Sequence, residues 1–308
     1  IRRDAGRQHP DQDRDGRLVY ATTPEDFAGL GLALAAYGVA LIGGCCGVGP
    51  RHIAAFTTAL AGQDAAIYGV GLPEQFVFDP GVFARVNRDL LTVFLDALGN
   101  SGVRRLIYIS TYEVFEAVNA QIRERHPVAD TAGMTPYFAA MIEAYRLVLA
   151  ARDRSGLTLT TIHPAAVYGG RNTGDGFTNY LENILRWRVW LMPAGVAGHF
   201  PLVHVDSLAD AIKRTLPQDP HQHHQAHQGH DGAFIVSDAM TSLGDLARQT
   251  RKLRSCWVPP TIPTALGYAS ATLMEAGARL LRIRPPLARV QLDFITKGVR
   301  CNAICPGT

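Results

Sequence analysis

Lysine is scarce in this sequence of 308 residues, although the chain holds 30 lysine and arginine residues in total. The lysines are Lys213, Lys252 and Lys297, so the first 212 residues contain only arginine as a permanent side-chain cation. The formal net charge is +3, which indicates neither a nucleic acid nor a membrane surface as a partner. A site that needs a lysine early in the chain is therefore excluded.

Cysteine and long apolar runs are also sparse. Five cysteines and no evident secretory leader argue against a disulfide-bonded scaffold and for a reducing compartment. The longest apolar stretch, residues 264–283, is interrupted by Glu275, Arg279 and Arg282, so it predicts an amphipathic helix and not a membrane span. We expect a cytoplasmic protein without a membrane partner that acts on a small molecule.

Short apolar segments alternate with helical patterns along most of the chain. This alternation predicts an α/β fold with a parallel sheet that is covered by helices on both faces. The expected strands are residues 39–42, 64–70, 105–110, 157–162 and 233–236. The expected helices are residues 24–37, 50–60, 80–98, 141–154 and 180–188.

Five segments that follow residue 63 share the order and spacing of one known family. They are DAAIYGV, ARVNRDLLTVFLDALGNSGVRRLIYISTYEVF, TIHPAAVYGG, PLVHVDSLADAI and VPPTIPTALGYASATLMEAGARLLRIRPPL. The chain resembles the extended short-chain dehydrogenases, which include NAD-dependent epimerases and dehydratases and 3β-hydroxysteroid dehydrogenases. The resemblance implies a Rossmann-like domain over residues 63–292, with NAD or NADP as cofactor and a small C-terminal substrate lobe in residues 171–200 and 233–292. It allows a homodimer.

The same resemblance implies a catalytic site. In the family a tyrosine takes the proton of a hydroxyl that loses hydride to nicotinamide, and a serine or threonine hydrogen-bonds the substrate oxygen. Tyr137 and Thr111 occupy these two positions. The other implied site positions are Asn87, Ser110, Pro164 and Val167. Alternatively, Tyr137 is a surface tyrosine after a proline turn, and Asn87, Pro164 and Val167 serve packing or a turn.

The family's catalytic lysine, four residues after the tyrosine, is replaced by Met141. That lysine lowers the tyrosine pKa and holds the nicotinamide ribose, and an unperturbed tyrosine pKa of about 10 makes a poor base at neutral pH. Met141 could equally be a core residue of an amphipathic helix. We therefore expect an oxidoreductase-like or epimerase-like protein for a sugar nucleotide or steroid-like substrate, with impaired chemistry.

The N-terminal segment resembles a different family. Gly43, Gly47 and Gly49 have a spacing that could cradle a phosphate, but YATTPEDFAGLGLALAAYGVALIGGCCGVGPRHIAAF is similar to the C-terminal end of homocysteine S-methyltransferases. That resemblance implies Cys45 and Cys46 as two of three zinc ligands. Because the third thiolate is missing, we expect no complete zinc site. Residues 1–62 are thus a methyltransferase-like tail, and the N-terminal half of the dehydrogenase domain is expected to be truncated.

The last segment resembles a third group. Residues 293–308, DFITKGVRCNAICPGT, are similar to a strand of single-domain short-chain dehydrogenases. Residues 156–170 already supply that element, so the two copies cannot both flank one nicotinamide. The chain is therefore interpreted as a mosaic. Besides an impaired oxidoreductase, a zinc-dependent methyltransferase remnant and a catalytically silent protein remain open.

Overall fold

Short strands alternate with helices in the part of the chain that the structure describes. The computed structural model describes residues 65–72, 77–117, 121–169, 199–216, 231–253 and 261–281, with the short pieces 11–12, 18–19, 192–193, 285, 288–289, 292 and 300–301. The strands are β1 (Asp11–Gln12), β2 (Leu18–Val19), β3 (Ala65–Tyr68), β4 (Arg105–Ile109), β5 (Gln121–Ile122), β6 (Thr158–Pro164), β7 (Ala166–Tyr168), β8 (Met192–Pro193), β9 (Phe200–His204), β10 (Gly232–Val236), β11 (Ala239–Thr241), β12 (Thr261–Ile262) and β13 (Arg300–Cys301). The helices are α1 (residues 81–99), α2 (Pro136–Ser155), α3 (Val205–Thr215), α4 (Leu243–Leu253) and α5 (Thr264–Leu281).

The main sheet of the described residues is parallel and has the strand order β10-β6-β4-β3. Side chains alternate between the two faces of a strand, so neighbouring residues of β4 enter different cores. Leu106 and Tyr108 belong to a core with α1 and α2, whereas Ile107 belongs to a second core with α3. The predicted α/β fold, a parallel sheet with helices on both faces, is confirmed.

Helix α1 changes its winding part-way. It is an α-helix over Gly81–Phe83, a π-helix over Ala84–Asp89 and an α-helix again over Leu90–Gly99. The wider turn coincides with Asn87, whose polar side chain is buried at 2% exposure. Single π-helical turns inside α-helices are frequent at functional sites.

Helix α2 begins at Pro136, five residues before the predicted start at residue 141. The Thr135 side chain accepts a hydrogen bond from the Phe138 backbone N–H at 3.5 Å, and Pro136 occupies the first helical position. Tyr137 therefore lies in the first turn of a helix and not in a preceding loop. Because α2 is continuous, Tyr137 and Met141 are four residues apart on one helix face.

The C-terminal ends of α1 and α2 allow a matched test of backbone conformation. Gly156 follows α2 with φ +63° in the left-handed region, and a Cβ there would have no neighbour within 4 Å. We expect Gly156→Ala to lower the free energy of unfolding by about 1 kcal/mol, because alanine disfavours this conformation. Gly99→Ala, also without a neighbour but inside the last helical turn, should raise it by roughly 0.5–1 kcal/mol. Denaturant titration measures both, and equal signs for the two variants would refute this account.

A second sheet in the described residues has the strand order β11-β9-β7. Ala165 connects its strand β7 to strand β6 of the main sheet. Strand β13, in the segment expected to mimic a dehydrogenase strand, pairs instead with β5. Residues 171–191, which hold most of the first part of the predicted substrate lobe, lie outside the described residues, as does nearly all of 1–62. The predicted domain boundaries and the truncated N-terminal half therefore stay predictions.

Helix α5 confirms the expected helix near residues 264–283, and one of its faces is buried. Its buried residues are small or charged, namely Gly267, Ala271, Glu275 and Ala278. Leu273 and Leu280 are 74% and 84% exposed. The cost of burying Glu275 is offset by hydrogen bonds that its carboxylate accepts from the Arg289 backbone N–H and Nε, at 2.6 and 3.0 Å. Among the described residues, no helix has the length and apolar character to cross a membrane.

Candidate functional site

The polar residues of interest gather where strands β3, β4 and β6 end. All three strands run parallel, so their carboxyl ends share one edge of the sheet. Ser110 follows β4 directly, and its backbone N–H donates to the Ile162 carbonyl of β6 at 2.8 Å. In open parallel sheets, ligands bind at this edge. The sheet thus places Ser110 and Thr111 where a bound ligand is expected.

Thr111 is held by a short 3₁₀-helix, Tyr112–Val114, which it caps. Its Oγ1 donates a hydrogen bond to Glu113 Oε2 at 3.2 Å and accepts one from the Glu113 backbone N–H at 3.4 Å. Thr111 itself is 9% exposed. The hydroxyl and the carboxyl form one hydrogen-bonded pair at the sheet edge.

Tyr137 lies in the first turn of α2, near enough to Glu113 for that carboxyl to influence the ionisation of the tyrosine. Its ring meets Phe83 of α1 edge-on at a centroid distance of 5.7 Å, and the neighbouring Phe138 at 5.1 Å. Burial raises the pKa of Tyr137 above its ordinary value, and the nearby Glu113 and Tyr108 raise it further. The structure thus places Tyr137 within electrostatic reach of Glu113, which is the hydrogen-bond partner of Thr111. Their catalytic roles remain predictions.

Glu113 was not among the residues singled out from the sequence. Its side chain keeps an intermediate exposure, yet burial by surrounding protein atoms raises the pKa of its carboxyl to about 7, against a smaller lowering effect of Thr111. A carboxylic acid with such a pKa exists in both protonation states near neutral pH. The spacing from Thr111 was visible in the sequence, but only the packing reveals this property.

His163 is the second residue that sequence reasoning missed. It is fully buried, with its ring 4.5 Å from Phe115 and 4.9 Å from Tyr145. Nδ1 lies 3.0 Å from the Thr111 carbonyl oxygen, and Nε2 lies 2.9 Å from Thr161 Oγ1. Because a carbonyl only accepts, Nδ1 carries the proton and Nε2 accepts from the threonine hydroxyl. His163 thereby holds the backbone of Thr111 in place.

Two buried polar atoms at the same edge make no hydrogen bond of good geometry within the described residues. Asn87 Oδ1 accepts from the Leu72 backbone N–H at 2.7 Å, but Asn87 Nδ2 has no partner. Ser110 Oγ likewise makes no hydrogen bond of good geometry, although the Tyr108 hydroxyl lies near it. Buried polar groups without a partner cost stability, and one explanation is a ligand that completes them.

The remaining predicted positions differ in their surroundings. Met141 is partly exposed and packs against the core shared by α1 and α2. Pro164 is buried at the end of β6, paired with Val236 of β10, and Val167 of β7 is paired with Val203 of β9. Pro164 and Val167 thus have packing contacts here, and their predicted role beside the nicotinamide stays a prediction.

The glycine-rich segment and the two adjacent cysteines belong to a part of the chain that the structure does not describe. Gly43, Gly47, Gly49, Cys45 and Cys46 all lie outside the described residues. Across the described ranges, no cluster of three or more His, Cys, Asp or Glu side chains is arranged to hold a metal ion. The predicted cofactor loop and the predicted incomplete zinc site therefore stay predictions.

Comparison with known families shows which family the chain belongs to. The profile of the NAD dependent epimerase/dehydratase family matches residues 53–226, which is more than half of the chain. The chain belongs to this family. The profile of homocysteine S-methyltransferase matches residues 4–60. Both resemblances predicted from the sequence, to the epimerase/dehydratase family and to the methyltransferase, are confirmed.

Solved structures share the fold of this epimerase/dehydratase family member at low identity. A protein designated gox2253 matches with a TM-score of 0.60 and 19% identity, over 80% of this chain and 72% of that chain. UDP-glucuronic acid 4-epimerase from Bacillus cereus, in complex with UDP-glucuronic acid and NAD, matches with a TM-score of 0.59 and 12% identity, over 87% and 95%. UDP-glucose 4-epimerase from Thermus thermophilus, in complex with NAD, matches with 0.56 and 15%, over 88% and 94%. No curated protein matches the sequence. At these identities the likeness shows the fold alone.

Proposed function

We propose that this chain binds NAD or NADP at the carboxyl edge of its parallel sheet and oxidises a hydroxyl carbon of a sugar nucleotide. The observation that carries the proposal is the cluster of Thr111, Glu113 and Tyr137 at that edge. The relatives crystallised with UDP-glucuronic acid and NAD support a sugar nucleotide over a steroid-like substrate. Oxidation followed by reduction from the other face of the sugar carbon would give an epimerase.

The residues present at this edge fit the nicotinamide end of such a cofactor. Asn87 Nδ2 and Ser110 Oγ are buried polar atoms without a hydrogen bond of good geometry, and they flank the ends of β3 and β4. An amide donor and a hydroxyl suit the ribose hydroxyls or the carboxamide of a nicotinamide nucleotide. When bound, nicotinamide accepts a hydride from the substrate carbon. The pyrophosphate end would have to be held by residues outside the described ranges.

The chemistry of this site is expected to be impaired at Tyr137. An unperturbed tyrosine is ionised to about one part in a thousand at pH 7, and burial beside Glu113 reduces that fraction further. A lysine at position 141 would counter this effect, but the residue is Met141. In this chain the neutral Tyr137 hydroxyl can donate a hydrogen bond to a substrate oxygen, but it is a poor proton acceptor.

Cofactor binding is tested by calorimetric titration of the whole chain with NAD⁺ and NADP⁺. Because the family's Gly-rich turn is not recognisable, we expect a dissociation constant weaker than about 1 μM. Ser110→Ala should weaken binding roughly fivefold to tenfold through loss of one hydrogen bond. The same variant should change the free energy of unfolding by less than about 1 kcal/mol, because the buried hydroxyl has only the nearby Tyr108 hydroxyl to interact with in the free protein.

Ser101→Ala is the matched control. Ser101 lies before β4, at the opposite edge of the sheet, and its hydroxyl donates to the Leu98 carbonyl and accepts from the Val103 N–H. This variant should lower stability and leave cofactor affinity intact. No detectable binding of either dinucleotide at millimolar concentration would refute the proposed function.

A further inference from the structure

We propose that Thr111 and Glu113 form a proton relay in which the Glu113 carboxylate, and not Tyr137, receives the proton of the substrate hydroxyl. The inference rests on the proposed function, because it requires a substrate hydroxyl at this edge of the sheet. It assigns to Glu113 a catalytic role. It also makes Thr111 the acceptor of a hydrogen bond from the substrate hydroxyl, and not a donor to the substrate oxygen.

The direction follows from the hydrogen bonds of Thr111. Its hydroxyl proton is directed to Glu113 Oε2, and one of its lone pairs accepts from the Glu113 backbone N–H. One lone pair of Oγ1 is left, so the threonine can accept a hydrogen bond from an incoming hydroxyl. It cannot donate to that hydroxyl without giving up the carboxylate. The observed geometry thus orients Thr111 as an acceptor from substrate.

The surroundings favour Glu113 over Tyr137 as the final proton acceptor. Tyr137 contacts Phe83 and Phe138, and the groups that influence its ionisation are the Glu113 carboxyl and the Tyr108 phenol, both of which disfavour phenolate. No lysine precedes Lys213 in the sequence. The Glu113 carboxyl, with a pKa near 7, is ionised in a large fraction of molecules at neutral pH. A base works best when its pKa lies near the working pH.

The step balances with an oxidised nicotinamide dinucleotide as the second reactant. The O–H bond of the substrate breaks and its proton joins Thr111 Oγ1, while the Thr111 hydroxyl proton passes to Glu113 Oε2. The C–H electron pair of the same carbon leaves as hydride to the nicotinamide, and the C–O bond becomes a carbonyl. The carboxylate becomes a neutral carboxylic acid and returns the proton when the carbonyl is reduced.

The first test needs no turnover. Carbon-13 NMR or infrared spectroscopy of the free chain, with labelled glutamate, should show one carboxyl that titrates near pH 7. The signal should vanish in Glu113→Gln and remain in Glu116→Gln, which removes an exposed carboxylate three residues away. In the described residues, Glu113 interacts with Thr111 on its own segment through a hydrogen bond and with Tyr137 on α2 electrostatically. A Glu113 carboxyl that titrates near pH 4 would overturn the relay.

The second test measures reduction of NAD⁺ by UDP-glucose and UDP-glucuronic acid in a single turnover. The rate of the unmodified chain should rise with pH around a midpoint near 7, because the relay needs the ionised carboxylate. Glu113→Gln and Thr111→Val should each lower the rate by about 10²–10³-fold, whereas Tyr137→Phe should stay within about tenfold and Glu116→Gln should have no effect. Glu113→Asp should recover part of the rate. Thermal unfolding of each variant shows that it is folded.

The outcomes separate the two proposals. Cofactor and UDP-sugar binding without any turnover would overturn the relay but leave the binding function standing. Absence of cofactor binding would overturn the proposed function and the relay with it. A Tyr137→Phe variant that loses as much rate as Glu113→Gln would return the role of base to the tyrosine.

Discussion

Met141→Lys is expected to raise the single-turnover rate of NAD⁺ reduction by about a hundredfold. Helix α2 is continuous from Pro136, so residue 141 lies one turn after Tyr137 on the same face. An ammonium group there would favour the phenolate of Tyr137 and lower its pKa. One acid–base element is typically worth about 10²–10⁴ in rate, and the lower figure applies because Glu113 already offers an alternative acceptor.

The site should accept this substitution at a small cost in stability. Met141 is only partly buried against the core of α1 and α2, and a lysine stem can cover similar apolar surface while its ammonium group reaches the surface. We expect a loss of about 1 kcal/mol in the free energy of unfolding. Met141→Gln serves as the uncharged control and should not raise the rate.

A second substitution in the Met141→Lys background makes the test sharper. In the original chain Tyr137→Phe should lower the single-turnover rate only modestly. In the Met141→Lys chain the same substitution should lower the rate by about the factor by which the lysine raised it, because the phenol has become the base. A Met141→Lys chain with an unchanged rate and an unchanged effect of Tyr137→Phe would contradict the view that the missing cation limits this site.

Acidification is expected to destabilise the protein through His163. Burial lowers the pKa of His163 to about 4, from an ordinary value of 6.5, with a smaller opposing effect of its hydrogen bond to the Thr111 carbonyl. The unfolded chain therefore binds more protons than the folded chain between about pH 6.5 and pH 4. The stability that comes from keeping this histidine neutral is fully present above pH 6.5 and is lost as the pH falls to 4. The loss amounts to about 3 kcal/mol between pH 7 and pH 4.

His163→Gln isolates this contribution. Glutamine can donate to the Thr111 carbonyl and accept from the Thr161 hydroxyl, but it does not titrate. Urea unfolding at pH 7 and pH 4 should show a loss of stability that is smaller by about 3 kcal/mol in the variant than in the original chain. The carboxylates contribute equally to both chains and cancel in the comparison.

His199→Gln is the control for a surface histidine. The His199 side chain is half exposed and lies 4.0 Å from the Asp245 carboxylate, so this variant removes a histidine at the surface and leaves the buried one in place. If His163→Gln loses as much stability as the original chain between the two pH values, the buried neutral histidine is not the cause of the acid sensitivity.

The sequence by itself determined the fold and the location of the candidate site. Short apolar segments that alternate with helical patterns can bury both faces only as a parallel sheet covered by helices, and the observed strands β3, β4, β6 and β10 lie within two residues of the expected ends. Thr111 and Tyr137 follow from motif spacing, and the absence of a lysine before residue 213 follows from composition alone. The early start of α2 was also legible, since Thr135 and Pro136 are a cap and a first helical residue.

Only the tertiary structure decided the chemistry of Glu113, His163 and Tyr137. The pKa of a side chain depends on burial and on neighbours, and those neighbours come from distant parts of the chain: His163 meets the Thr111 carbonyl across 52 residues of sequence. Glu113 has the same local sequence whether it is solvated or enclosed, and its burial in the folded chain is what raises its pKa. Local pattern therefore determines which strands and helices form, whereas the proton affinities of a site arise only when those elements pack together.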